Sequence, residues 1–140
     1  MEKATRNILL AVCFAAVILP MLAGKPSAAD KRKAEYAFME AISKKEAGDI
    51  DAAYALLRHA VTLDPDNPTI NYYIGFTMLN LDRTTDEEVD SATALMRINT
   101  IERPGDYYEN YIYAILNASL SNHAEATRVL ENLAKRYPAK

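Results

Sequence analysis

Apolar residues recur every three to four positions through most of the chain after residue 30, and no segment sustains an alternation of apolar and polar residues. This spacing is typical of amphipathic helices and not of half-buried strands. In one segment, six apolar residues share a single helical face: Ile50, Ala53, Leu56, Leu57, Ala60 and Val61. The pattern predicts an all-α protein with six helices, at about 31–47, 50–63, 69–81, 86–102, 107–120 and 123–136.

Residues suited to helix ends separate these segments. Gly48 can adopt the left-handed conformation that ends a helix, and Asp49 can cap the helix that follows. Three further starts are predicted where a capping residue precedes a glutamate by three positions, because the two can satisfy each other's backbone N–H groups. These pairs are Thr85 with Glu88, Asp106 with Glu109, and Asn122 with Glu125.

Three parts of the chain share a pattern of small residues and prolines. An alanine precedes each of three prolines by twelve residues: Ala53 and Pro65, Ala92 and Pro104, Ala126 and Pro138. Earlier small residues stand at Ala41, Gly75 and Ala114. The prolines are 39 and 34 residues apart, and five extra residues around 83–87 account for the difference. The chain therefore contains an internal repeat of 34 residues.

A 34-residue unit with small residues at its eighth and twentieth positions and proline at its thirty-second resembles the tetratricopeptide repeat. The resemblance covers units at about 34–67, 68–106 and 107–140, and it is closest in residues 40–53 and 60–65. Glu40 and Lys44 depart from usually apolar positions, and Asn99 departs from a usually small one. The resemblance implies an α-solenoid of three helix-turn-helix hairpins, whose first helices line a concave groove.

The same resemblance implies which residues would face that groove. They are Phe38, Ile42, Tyr72, Phe76, Tyr108, Tyr111 and Ile115, with Glu35 and Thr69 beside them. The groove would be aromatic, and it lacks the basic clamp with which some family members grip a peptide's C-terminus. A protein or peptide partner is therefore expected. Aromatic residues at helical spacing are also common in cores, so Phe38, Ile42 and Phe76 fit packing between helices as well.

The first residues have the three-part layout of a secretory signal peptide. Lys3 and Arg6 precede an apolar run over 8–19, and small residues follow at 27–29. The apolar run is shorter than the roughly 18 residues that a membrane-spanning helix needs. Val12 stands before Cys13 where a lipoprotein signal would need a small residue. We predict a signal peptide over 1–29, cleavage before Asp30, and an exported bacterial protein that is periplasmic or secreted.

Charge and composition narrow the function. The chain has 16 basic and 19 acidic residues, and removal of residues 1–29 takes three basic and one acidic residue, which leaves a formal charge of −5. Such a surface disfavours nucleic acid and anionic lipid. His59 and His123 stand apart without a ligand pattern, and no phosphate-binding, metalloprotease or nucleophile motif is present. We expect no catalytic residues, cofactor or metal, and no membrane insertion after cleavage.

The expected role is an exported scaffold for protein–protein interaction. The alternative is a self-associating homo-oligomeric array or an accessory subunit of an envelope complex. The last predicted helix has a narrow apolar stripe and a polar opposite face, as terminal repeats need. We therefore expect a complete small protein whose last helix closes the array.

Overall fold

The computed structural model describes residues 24–139, and all regular secondary structure in this range is α-helical. The six helices are α1 (Ala28–Glu46), α2 (Ile50–Leu63), α3 (Pro68–Met78), α4 (Asp86–Glu102), α5 (Tyr107–Ser119) and α6 (His123–Arg136). The prediction of an all-α protein with six helices is confirmed. Over residues 24–139, no helix has the length and apolar character needed to cross a membrane.

Helix α1 begins three residues earlier than the apolar pattern predicts. Ser27 caps it: the Ser27 hydroxyl accepts a hydrogen bond from the backbone N–H of Asp30 at 3.1 Å, and the Asp30 carboxylate accepts one from the N–H of Ser27 at 3.2 Å. Residues 1–23 of the predicted signal peptide lie outside the described residues. Ala28 and Ala29 form the first turn of α1, so the predicted cleavage position falls within a helix of the full chain.

Helix α3 ends at Met78, three residues before the predicted end. The side-chain amide of Asn80 donates to the carbonyl of Phe76 at 2.8 Å, so a side chain takes up one of the carbonyls left over by the last helical turn. The turn between α1 and α2 forms as predicted: Gly48 has a φ of 83°, and the Asp49 carboxylate accepts from the N–H of Ala52 at 3.2 Å.

The three predicted capping pairs have different outcomes. Thr85 and Glu88 bond each other's backbone N–H groups, as predicted. Asp106 accepts from the N–H of Glu109, but the Glu109 carboxylate does not bond back. Helix α6 begins directly after Asn122 as predicted, but the Asn122 side chain makes no cap hydrogen bond. Its amide instead donates to the side chain of Asn117 at 2.8 Å.

The predicted small residues lie where helices meet. Ala41, Ala53, Ala92, Ala114 and Ala126 are all buried. At Gly75 an added Cβ would lie 2.7 Å from Cγ of Met96 and 3.3 Å from Cγ2 of Ile112. Helix α3 therefore approaches α4 and α5 too closely for a larger side chain.

One core cluster takes buried side chains from all six helices, among them Leu57, Ile74, Met96, Leu116 and Val129. Each helix packs against the next along the chain, and α3 also contacts α5. The six apolar residues predicted to share a face of α2 are all buried or half-buried. Ala34, Ala37, Ala60 and Ile70 form a smaller cluster where α1, α2 and α3 meet.

Candidate functional site

A chain of aromatic rings connects α1 to α3. The ring of Phe38 meets that of Tyr73 edge-on with centroids 5.2 Å apart, and Tyr73 meets Tyr72 in the same way at 5.4 Å. Tyr72 stacks with Phe76 at 6.2 Å. Three residues expected to face a partner therefore belong to one connected cluster. Tyr73 belongs to the same cluster and was not predicted. It lies about 100° around α3 from Tyr72, and this position directs its ring toward α1.

A second ring cluster lies at the start of α5. Tyr107 stacks on Tyr111 with centroids 6.0 Å apart and meets Tyr108 and Tyr137 edge-on at 5.3 and 5.4 Å. The hydroxyl of Tyr137 donates to the carbonyl of Gly105 at 2.5 Å. Tyr107, at the centre of this cluster, was not predicted either. These contacts restrict the rings of Tyr108 and Tyr111 while leaving them 59% and 42% exposed.

We define the aromatic face by Phe38 of α1, Tyr72 and Phe76 of α3, and Tyr108 and Tyr111 of α5. Phe38, Tyr72 and Phe76 are half-buried and pack against the core cluster, so the core interpretation holds for part of each side chain. The two remaining predicted residues, Ile42 and Ile115, are half-buried. None of the seven predicted residues is fully buried.

Two cavities open beside the aromatic face. A cavity of about 450 Å³ between α1 and α3 is lined by Phe38, by Glu35, and by the exposed side chains of Tyr36 and Met39. A cavity of about 210 Å³ between α3 and α5 is lined by Tyr72, Thr69, Tyr108, Arg103, Asp106 and Glu109. Thr69 lines both cavities. The structure thus brings Tyr72 and Tyr108 to one cavity and places the exposed side chains of Tyr36 and Met39 at the other.

Phe76 and Tyr72 of the aromatic face each lie near a charged group. The Lys45 ammonium lies 5.0 Å from the centroid of the Phe76 ring, within the range of a cation–π contact. Burial raises the pKa of Tyr72, and the nearby hydroxyl of Tyr73 and carboxylate of Asp106 raise it further. The Tyr72 phenol is therefore neutral at physiological pH and retains a proton that it can donate.

A buried carboxylate stands at the cavity between α3 and α5. Glu109 is 4% exposed, and its carboxylate pairs with the Arg103 guanidinium at 2.5 Å. The Asn99 amide donates to Glu109 at 3.4 Å and to the carbonyl of Pro68 at 2.8 Å. Burial raises the pKa of Glu109, and the raised value means that burial outweighs the opposing effect of Arg103. This network joins α3, α4 and α5, and it supplies hydrogen-bond partners for the buried amide of Asn99.

Comparison with known proteins supplies no relative: no protein family model matches the chain, and no characterised protein matches its sequence. Across residues 24–139, no three His, Cys, Asp or Glu side chains are grouped so that they could hold a metal ion.

Proposed function

We propose that this protein is an exported interaction scaffold that binds a peptide or a partner helix on the aromatic face. One observation carries the proposal: Tyr108 and Tyr111 are exposed although ring contacts hold them in place. Restrained tyrosines offer a large contact area and lose little conformational entropy on binding. Tyrosine is also enriched among the residues that dominate binding energies.

The arrangement of the helices supports a repeat architecture within this proposal. Helix α3 contacts α5 as well as its neighbours along the chain, and the small residues Ala41, Gly75 and Ala114 are buried at equivalent places. We therefore propose three stacked tetratricopeptide-like hairpins, in which α1, α3 and α5 run along one side. That arrangement would place the whole aromatic face on a single surface.

The proposal is tested with the double variant Tyr108→Ala/Tyr111→Ala. The protein is used as bait in an envelope fraction, and the affinity of any reproducibly captured partner is then measured for each variant. We expect the double variant to bind at least about tenfold more weakly, because the two rings would contribute a large share of the binding free energy. Its melting temperature should change little, because both rings are exposed.

Leu130→Ala is the matched control, because Leu130 is another exposed apolar residue but lies on α6. It should bind as the wild type does. Equal weakening by Leu130→Ala, or unchanged binding by the tyrosine variant, would refute the aromatic face as the binding surface. Light scattering on the purified chain tests the alternative: a dimer that the tyrosine variant dissociates would identify a second copy as the occupant.

Export is tested separately. The full chain is produced in a bacterial host, and the N-terminus of the protein in the periplasmic fraction is sequenced. We expect the mature chain to begin at Asp30. Recovery of the chain only in the cytoplasm, still beginning at Met1, would contradict export and leave the binding proposal to its own test.

A further inference from the structure

A second groove runs along α4 and α6. Two adjoining cavities of about 640 and 830 Å³ share Ile101, Tyr113 and Arg128 as lining residues, so together they form one elongated groove. Tyr113 comes from α5, where it lies two positions from Tyr111 and five from Tyr108. At about 100° per residue, Tyr113 projects from the side of α5 opposite to those two rings. The groove is therefore separate from the aromatic face.

This α4–α6 groove has an apolar floor that the chain leaves open. Ile101 is 68% exposed, and Ile98, one helical turn earlier on α4, is also exposed. The buried side chains of Tyr113, Val129 and Leu133 complete the floor. Single exposed apolar residues are ordinary on protein surfaces, but two that line a concave groove form a site that an apolar side chain can fill.

The side chains that line the groove have a net positive charge, whereas the chain as a whole has a net negative one. Four basic side chains line it, Arg97, Arg128, Lys135 and Arg136, against two acidic ones, Asp90 and Glu125. Arg128 already pairs with Glu125, through contacts of 2.6 and 2.7 Å.

Within the described part of the chain, the other three basic side chains of the groove make no close ion pair with an acidic one. Over residues 24–139, no carboxylate lies within 4.0 Å of the charged group of Arg97, Lys135 or Arg136. The chain as a whole has a formal charge of −3, so this groove is a basic region on an acidic protein.

We propose that the α4–α6 groove docks an acidic amphipathic helix of a partner protein. Residues 90–101 of α4 form one wall and span about 16 Å, which is the length of about three helical turns. Apolar side chains of such a helix would cover Ile98 and Ile101, and its carboxylates would face Arg97, Lys135 and Arg136. The apolar contacts supply affinity, while the basic rim accelerates association and rejects basic partners.

The test uses two synthetic peptides of about 14 residues, long enough to fill the groove as a helix. Both carry leucines at the spacing of one helical face; one has glutamate at its other positions, and the matched peptide has lysine there. Each is labelled with fluorescein, and its binding to the full chain is followed by fluorescence anisotropy. We expect the glutamate peptide to bind, with an affinity that falls as salt rises, and the lysine peptide not to bind.

Two variants locate the site on the protein. Ile101→Ser should weaken the glutamate peptide by about tenfold, because it removes most of an isoleucine contact. Arg97→Gln should weaken it less and should also reduce the dependence on salt. Two controls should bind as the wild type does: Arg83→Gln, which removes an exposed charge in the loop before α4, and Tyr111→Ala on the aromatic face.

Equal binding of the two peptides, or unchanged affinity in both groove variants, would overturn the proposal. Loss of binding in Tyr111→Ala would show that the peptide binds the aromatic face, and this result would also overturn the proposal. If light scattering instead detects a dimer that Ile101→Ser dissociates, the groove is an interface between copies of this chain. Both groove variants change exposed side chains, and circular dichroism verifies that each remains folded.

Discussion

The close approach of α3 and α4 at Gly75 can be tested with a single methyl group. A Cβ at this position would lie 2.7 Å from Cγ and 2.8 Å from Sδ of Met96, and 3.3 Å from Cγ2 of Ile112. Met96 is fully buried, so its side chain has little room to move away. Gly75→Ala is therefore expected to destabilise the protein, although alanine is the better helix former.

The magnitude follows from two opposing effects. Replacing glycine by alanine inside a helix gains about 1 kcal/mol, whereas overpacking a core costs about 1–3 kcal/mol. The net loss for Gly75→Ala is thus about 0–2 kcal/mol. Met96→Ala alone should cost about 2–5 kcal/mol, because it leaves a cavity. In that background the new methyl group enters vacated space, so Gly75→Ala should instead stabilise by up to about 1 kcal/mol.

The assay is urea denaturation of the wild type, both single variants and the double variant, followed by far-ultraviolet circular dichroism. The four free energies of unfolding form a double-mutant cycle with an expected coupling of about 1–3 kcal/mol in favour of the double variant. If Gly75→Ala instead stabilises the wild type and the Met96→Ala protein by the same amount, the two residues do not contact. The close approach of α3 and α4 would then be refuted.

Three further changes test individual interactions. Thr85→Ala removes the cap of α4 and should cost about 1 kcal/mol in urea denaturation, whereas Thr84→Ala beside it should cost nothing measurable. Burial raises the pKa of Glu109, so the folded protein favours the protonated carboxyl more than the unfolded chain does. The stability that Glu109 contributes is therefore complete below its pKa in the unfolded chain, and it is lost as pH rises through its pKa in the folded protein. The melting temperature of Glu109→Gln should therefore rise relative to that of the wild type as pH is raised from about 4 to 7. A relative decrease would mean that the ion pair with Arg103 outweighs burial. Asn99→Ala should cost about 2 kcal/mol, because it removes the hydrogen bonds that the buried Asn99 amide donates to the Pro68 carbonyl and to Glu109, and proton exchange at the start of α5 should quicken.

The parts of the fold that the sequence predicts well depend on local or periodic signals. The burial of Ala41, Gly75 and Ala114 follows from spacing alone, because helices that cross at regular intervals need a small residue at each crossing. The start of α4 follows from Thr85 and Glu88, which are three residues apart and need no distant partner. Of the seven predicted partner-binding residues none is fully buried, and whether they contact a partner stays a prediction.

Tertiary contacts decide the features that the sequence does not predict. Glu109 has the position of a capping glutamate, yet Asn99 on α4 and Arg103 just after it draw its carboxylate away from the backbone. Asn122 stands at the N-cap of α6, but its side-chain amide donates to Asn117 on α5 and makes no cap hydrogen bond. In both cases a local signal competes with a partner on another helix, and spacing along the chain does not reveal that partner. The basic charge of the α4–α6 groove likewise arises only when side chains of two helices are brought together.

Helix α5 is the structural element common to both proposed surfaces. It carries Tyr108 and Tyr111 on one side and Tyr113 on the other, while Ala114 and Leu116 are buried against neighbouring helices. If binding displaced α5, both surfaces would change, and only then would binding at one alter affinity at the other. The close-packed core and the Glu109 network oppose such a displacement, because shifting α5 would break an ion pair and open cavities. The two surfaces should consequently bind independently, with additive free energies, so that the protein could hold two partners at once.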